Sequence, residues 1–449
     1  MITNTVSNSK GKWKPYQVFL LRLLFLYFLV QIIPIDWKFY KQLAEVDWSK
    51  FSAGDIFNLA HYTPQFVGGG QGFANWFVAL GIALILTGIW YRIGDGIKID
   101  NNRLYYWFRV ILRYRLALAL LVYGFIKLFP IQSPYPSISN LNTHYGDFNR
   151  WKLFSLSLGI VPSYESFLGG VEIVLALGLL YRRTASLAAF IVIVFTGNVF
   201  MSNIAYEGGE LVYSFFLLSL AFFILLYDLE RLTSLLISQV PTSPDKFSPL
   251  FVNNWRHGRL VLKSLFVFVF IGLYGFSTLN TYRSGAFQYP ATEGLRNAEG
   301  IYHVSTFAIN QDTIAYSLTD SIRWRDVVFE KWNTISVRTN RSVIIDSSNT
   351  DLFQHPDSAR DYEIRGSGGR QYYSYRVDTA SQVLKLHNRN KNYPNDHLEL
   401  KYKLIGDSTI NLSGRDQNND SLAVVLNRIN KRYLLKEVDK NGRRKSLKL

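Results

Sequence analysis

Apolar residues fall in long blocks over the first 280 or so positions and in short alternating runs after them. Seven blocks come close to the roughly 20 residues that a helix needs to cross a bilayer: 16–35, 74–93, 106–129, 163–181, 185–204, 211–227 and 260–279. Arg22 interrupts the first near its basic end, where a long side chain can reach the headgroups. That block follows a basic stretch, as a secretory signal would. VQIIPIDW offers no small-x-small cleavage site, however, so it reads as an uncleaved anchor. Beyond Tyr282 the period changes to two. Short runs at 333–338, 342–346, 372–378, 382–387, 397–404, 408–413, 421–427 and 433–438 alternate, with Leu398, Leu400, Tyr402 and Leu404 on one side of a strand. The pattern predicts an α-helical multi-pass membrane bundle of about seven transmembrane helices over 1–282. A soluble all-β domain, a sandwich or small barrel, follows over 283–449. The tail NGRRKSLKL reads as frayed.

Charge adds orientation. The net charge is +16, and much of the excess sits in short segments between apolar blocks. Lys10, Lys12 and Lys14, the 94–105 loop, Arg182 with Arg183, and the 228–259 linker all fall on one side of the predicted bundle. The positive-inside rule makes that side cytoplasmic. The connections 36–73, 130–162 and 205–210 then lie opposite, and seven spans put the N-terminus in the cytoplasm and the C-terminal domain outside it. The lipid bilayer thus accounts for the basic balance. Basic and aromatic residues interleave at 365–376, but an exported domain has no nucleic acid to meet.

Composition excludes several chemistries. There is no Cys, so neither a thiolate-held iron–sulfur cluster nor thiol–disulfide exchange is available. The seven His residues lie outside the centres of the apolar blocks, which argues against a bis-His haem. His387, His397 and Asp396 fit no metal-ligand spacing. There is no G-x-S-x-G nucleophile motif. The Val67–Gly72 glycine cluster neither follows a strand nor continues as a phosphate-binding fingerprint, and reads as a loop. The patch WKLFSLSLGIV, inside the 130–162 connection, is amphipathic enough to lie in the membrane interface.

Two charges stand where lipid penalises them: Lys127 near the end of the third block and Glu172 inside the fourth. Intramembrane ionisable residues mark a functional site or an internal pair. The structural alternative is an ion pair that locks two helices. The functional alternative is a polar pocket completed by Tyr123, Asn198 and the loop residues His144, Tyr145 and Asp147. Gly169, Gly170 and Gly178, at near-helical spacing around Glu172, serve close helix packing.

The motifs R-x-x-x-A…G-x-x-K-L and G-G-x-E-x-x-x-x-x-G-L-L over 107–235 resemble the DoxX family of small bacterial membrane proteins. The resemblance implies a helical core associated with quinone-linked oxidation of sulfur compounds, or an accessory role. The added spans and the β-domain lie outside it. Two functions follow as expectations. One is an accessory or scaffold protein of the cell envelope whose β-domain binds a partner protein. The other is a redox accessory that binds a quinone or small anion between Lys127 and Glu172.

Overall fold

A computed structural model of the chain describes residues 13–48, 52–67, 72–93, 100–242, 253–285, 287–348, 353 and 356–434. The glycine cluster at 68–71 and the tail from 435 lie outside the described residues. The chain forms two compact units: Met1–Phe129 with Phe167–Asn280, and Pro130–Ser166 with Thr281–Leu449. Residues 130–166 therefore belong to the second unit, although the hydropathy pattern groups them with the helices.

The first unit is helical. Its long helices are α1 (Pro15–Ile32), α4 (Ala74–Ile93), α5 (Asn101–Leu128), α8 (Pro162–Leu180), α9 (Ala185–Ala205) and α10 (Leu211–Leu226). A last helix runs as α12 (Asn253–Val267), a π-helical turn (Phe268–Leu273) and α13 (Tyr274–Ser284). Two short helices, α2 (Trp37–Glu45) and α3 (Ala53–Ala60), occupy the connection after α1. Asp36 caps α2 by accepting the Phe39 N–H at 3.0 Å, and a Ser52–Asp55 capping box starts α3.

Among the described residues, five helices are long and apolar enough to cross a membrane. A sixth counts if α10 and α11 (Leu229–Leu236), bent by 69°, are one span. This is a membrane-embedded protein, with fewer such helices than the seven apolar blocks predict. The difference lies in α10, which has only 16 residues unless α11 is counted with it, and in α5. The 28 residues of α5 include Arg103, Arg109, Arg113, Arg115 and Lys127, which dilute its hydropathy. It is nonetheless the packing centre: Leu112, Leu116, Ala117, Leu120, Leu121 and Ile126 are buried.

The α5–α8 contact depends on glycine. A Cβ on Gly169 would fall 2.2 Å from the Leu128 nitrogen and 2.4 Å from the Gly124 oxygen. A Cβ on Gly124 would fall 2.8 Å from the Ile173 side chain. Only backbone fits there, as the packing reading of Gly169 requires; Gly178 likewise faces Ala188, while Gly170 meets open space. Along α5 the last helix runs parallel. Phe266 meets Tyr114 with ring centroids 5.1 Å apart, and the Tyr274 hydroxyl donates to the Val122 carbonyl at 3.0 Å.

The second unit is built on an antiparallel barrel. Its strands are β1 (Gly300–Ile309), β2 (Asp312–Thr313), β3 (Asp326–Phe329), β4 (Thr334–Arg338), β5 (Gln371–Asp378), β6 (Val383–Asn388), β7 (His397–Ile405), β8 (Thr409–Asp416) and β9 (Ser421–Ile429). Neighbours pair in the order β1-β3-β4-β5-β6-β7-β8-β9, and β9 returns to pair with β1. Eight strands thus close on themselves, with β2 extending the end of β1. The fold is a barrel and not a sandwich, because the β1–β9 ladder leaves no open edge to separate two sheets.

Alternation fills the interior. Tyr302, Val304, Val327, Phe329, Ile335, Val337, Tyr373, Tyr375, Leu384, Leu386, Leu398, Leu400, Ile410, Leu412, Val424 and Leu426 form one buried cluster. An eight-stranded barrel has an interior just wide enough for such filling. Two irregularities permit it. A bulge between Val304 and Thr306 resets the alternation, so Val304 and Phe307 are both buried. At Gly414 the neighbouring strand comes so close that a Cβ would lie 1.8 Å from the Glu399 oxygen. Trp324 and Phe329 are core residues, while Trp332 is half-buried and outside the core cluster. The run 342–346 is not a strand, and β1 and β3 were not anticipated. Residues 433 and 434, at the start of the expected last strand, form no strand either.

Segment 130–166 packs within this unit through α6 (Ile138–Leu141) and α7 (Arg150–Gly159). Lys152, Ser155, Leu156 and Gly159 of α7 are buried. Lys152 Nζ donates to the Tyr362 carbonyl, and Ser155 and Tyr362 share a hydroxyl–hydroxyl hydrogen bond at 2.8 Å. One face of the WKLFSLSLGIV helix thus packs on protein through Lys152, Ser155, Leu156 and Gly159, while Trp151, Leu153, Phe154, Leu158 and Ile160 are half-buried.

Candidate functional site

The helical unit brings Lys127 and Glu172 together. The Lys127 Nζ lies 2.5 Å from Glu172 Oε1, with side chains 13% and 5% exposed. The short α5–α8 distance at Gly124 and Gly169 makes this reach possible, since Glu172 Cβ is itself only 3.3 Å from where a Gly124 side chain would start. Glu172 Oε2 is buried and meets no hydrogen-bond donor. Pairing lets both groups keep their charge in a low-dielectric setting, and the unmatched oxygen leaves one acceptor unsatisfied.

Tyr123, one helical turn before Lys127, completes the inner wall. Its ring lies 5.5 Å from the Lys127 ammonium. From there an aromatic and polar line continues through the unit. Tyr123 packs against Phe57, His61 and Tyr213 at centroid distances of 5.3, 5.7 and 5.9 Å. His61 stacks on Phe57 and pairs through Nε2 with Glu210 Oε2 at 3.0 Å. Arg115 donates to the Tyr213 hydroxyl at 3.3 Å and to the Tyr62 carbonyl at 2.8 Å. The Tyr62 hydroxyl donates to Asp36 at 2.8 Å.

The other predicted pocket residues are elsewhere. Asn198 is on the exposed side of α9, and its side-chain oxygen meets the Ser202 hydroxyl of the next turn at 3.5 Å. Position along the helix suggested the pocket, but rotation about its axis decides the face. His144 and Asp147 belong to the second unit. His144 Nδ1 meets the Arg338 guanidinium at 2.8 Å, and the Asp147 carbonyl accepts the Gly368 N–H at 2.7 Å. Tyr145 is exposed. His61, Glu210, Arg115 and Tyr213 are the residues that sequence reasoning missed. His61 and Glu210 lie outside the apolar blocks, where an isolated His or acid carries no signal.

A second buried titratable group lies in the β unit. Glu330 Oε1 accepts both the N–H and the hydroxyl of Ser139 at 2.6 Å. Burial, with Glu363 beside it, pushes the Glu330 carboxyl up to about 8. Burial also raises Glu363, which accepts the Trp332 indole N–H at 3.0 Å. Burial lowers the Lys152 ammonium to about 7, partly offset by Glu363 and Asp361. Arg370, fully buried, pairs with Asp326 at 2.6 Å. Every one of these contacts joins segments of the unit to one another.

Among the described residues no group of three or more His, Asp or Glu side chains is placed to hold a metal. No protein-family model, curated protein or solved structure matches the chain.

Proposed function

We propose that this is an integral membrane protein of the DoxX type whose helical unit is an acid–base site serving a membrane-soluble quinone. The observation that carries the reading is the buried Lys127–Glu172 pair with its unmatched Glu172 oxygen, bordered by Tyr123. A quinone carbonyl would accept from Lys127, and Glu172 would exchange the proton that reduction or oxidation at that oxygen requires. The chain itself has no redox centre in this account; electrons come from a partner subunit or a second substrate. The topology proposed with it takes α5 as a further span, with the N-terminus cytoplasmic and the C-terminal domain extracytoplasmic.

Lipid extraction and mass spectrometry of the purified full-length protein test the reading. A quinone recovered from the wild type, and lost from Lys127→Met, supports it. Its absence from wild-type protein purified out of quinone-containing membranes contradicts it.

A second reading concerns the barrel. Its interior is filled by side chains, so it holds no small ligand there and would act through its outer surface. A scaffold role, in which that surface binds an envelope protein, is tested by cross-linking in cells. A stoichiometric adduct formed from exposed barrel positions supports it.

A further inference from the structure

We propose that the helical unit binds one acyl chain of a glycerophospholipid in a groove between α3, α5 and the last helix. The groove has a volume of about 490 Å³, within the roughly 300–1,000 Å³ of ordinary ligand sites. It forms because the last helix holds α5 at two levels and leaves a gap between them. At one level Phe266 meets Tyr114. At the other the Tyr274 hydroxyl reaches the Val122 carbonyl, and a Cβ on Gly275 would fall 2.8 Å from the Phe125 ring. Leu118 lies between these levels and lines the groove. The π-helical turn Phe268–Leu273 falls there too and supplies Val269 and Leu273 to the opposite wall. Such turns recur at functional sites. Ile56 and Ala60 of α3, both buried, close the remaining side.

Three observations choose the occupant. The first is polarity. The lining is apolar apart from Ser277 and Asn280, and no lining side chain is charged. Leu273 and Phe276 are 47% and 65% exposed, an apolar surface that hydrocarbon covers and water does not favour. The last helix is also among those long and apolar enough to cross a membrane. The second is length. The stripe from Val269 to Asn280 covers eleven residue steps, about 16 Å at about 1.5 Å each. That is about half the roughly 30 Å of bilayer hydrocarbon, the depth of one leaflet. A chain of a one-leaflet lipid matches it, and a long isoprenoid tail overruns it. The third is the order of the lining. Ser277 and Asn280 stand together at one end, three residues apart on one helix face. The neutral ester carbonyls of a glycerophospholipid belong at that place and would accept from the Asn280 amide. A free fatty acid would bring a carboxylate to an end whose lining offers no cation. Leu118 and Lys127 are about two and a half turns apart on α5 and so point to opposite sides. The groove is therefore independent of the quinone reading.

Photolabelling tests the proposal. The full-length protein is reconstituted in phosphatidylcholine vesicles in which a small fraction of the lipid carries a diazirine on one acyl chain. After irradiation, adducts are mapped by peptide mass spectrometry. Adducts at 56–60 and 269–276 are expected to be severalfold denser than those at Leu187 and Val194, exposed side chains of α9 that report bulk lipid. Leu118→Trp fills the groove and should reduce its adducts severalfold while leaving those on α9 unchanged. Ala60→Phe fills it from the other wall and decides if the first variant does not fold, unchanged α9 labelling marking the folded protein. Groove adducts no denser than those on α9 overturn the proposal, as do adducts that neither filling variant reduces. Adducts removed by adding a long-chain quinone to the vesicles would assign the groove to a quinone tail and overturn it as well.

Discussion

Glu330 takes both hydrogen-bond donors of Ser139 on one carboxylate oxygen, each at 2.6 Å. Glu330 follows β3, and Ser139 lies 191 positions earlier in the chain. Asn140 adds hydrogen bonds to the Glu363 carbonyl at 3.0 Å and the Tyr372 hydroxyl at 3.2 Å. The barrel thus uses a segment inserted between α5 and α8 as part of its own packing. Residues 287–434 produced alone should therefore be β-rich but weakened. Joining 130–161 by a flexible linker should restore about 1–3 kcal/mol, the cost of leaving one buried acceptor unmatched. Urea unfolding of the two proteins measures this. Equal midpoints would mean that the segment is not a structural element of the barrel.

The sequence made part of this visible. A charge inside an apolar block is conspicuous, so Lys127 and Glu172 could be found, and the small residues around them indicated close helix packing. Period-two alternation exposed β4 to β9; in β4 the polar residues Thr334 and Ser336 keep the alternation although both faces are buried. It failed for β3, where Val327, Val328 and Phe329 are all buried; a strand covered on both faces need not alternate. It failed for segment 130–166 for a related reason. Its polar residues, Ser139, Asn140 and Lys152, are buried by pairing with groups far along the chain. His61 with Glu210 is hidden in the same way: 149 residues separate a pair that touches at 3.0 Å.

Protonation should give the second unit a stability minimum near pH 7–8. Glu330 and Glu363 are raised in the folded state, so their contribution is present at low pH and lost as pH rises above the ordinary Glu range, for Glu330 through about 8. Lys152 is lowered to about 7 from 10.5, so its contribution has the opposite sign. It is present above the ordinary Lys range and lost as pH falls toward 7. Chemical unfolding at pH 5, 7.5 and 10 should show the lowest stability at the middle value. Glu330→Gln should flatten the acid limb and Lys152→Met the alkaline one. A stability that changes in one direction across that range would contradict these assignments.

Gly169 and its neighbour Gly170 offer a built-in comparison. A methyl group on Gly169 has backbone atoms at 2.2 and 2.4 Å, whereas one on Gly170 meets nothing within 4 Å. Gly169→Ala should cost about 1–3 kcal/mol or more by forcing α5 and α8 apart. Gly170→Ala should be close to neutral, within about 0.5 kcal/mol. Thermal unfolding in one detergent compares them. Equal effects would mean that the two helices do not cross at this glycine.

Lys127 and Glu172 act as one buried unit, and a double-mutant cycle of unfolding free energy measures that. Lys127→Met or Glu172→Gln alone strands its partner and should cost roughly 3–5 kcal/mol. The double variant should recover much of that loss, giving a coupling of about 2 kcal/mol or more. Single effects that add to within about 0.5 kcal/mol would show that the two side chains do not interact, and the site proposed around them would fall with that result.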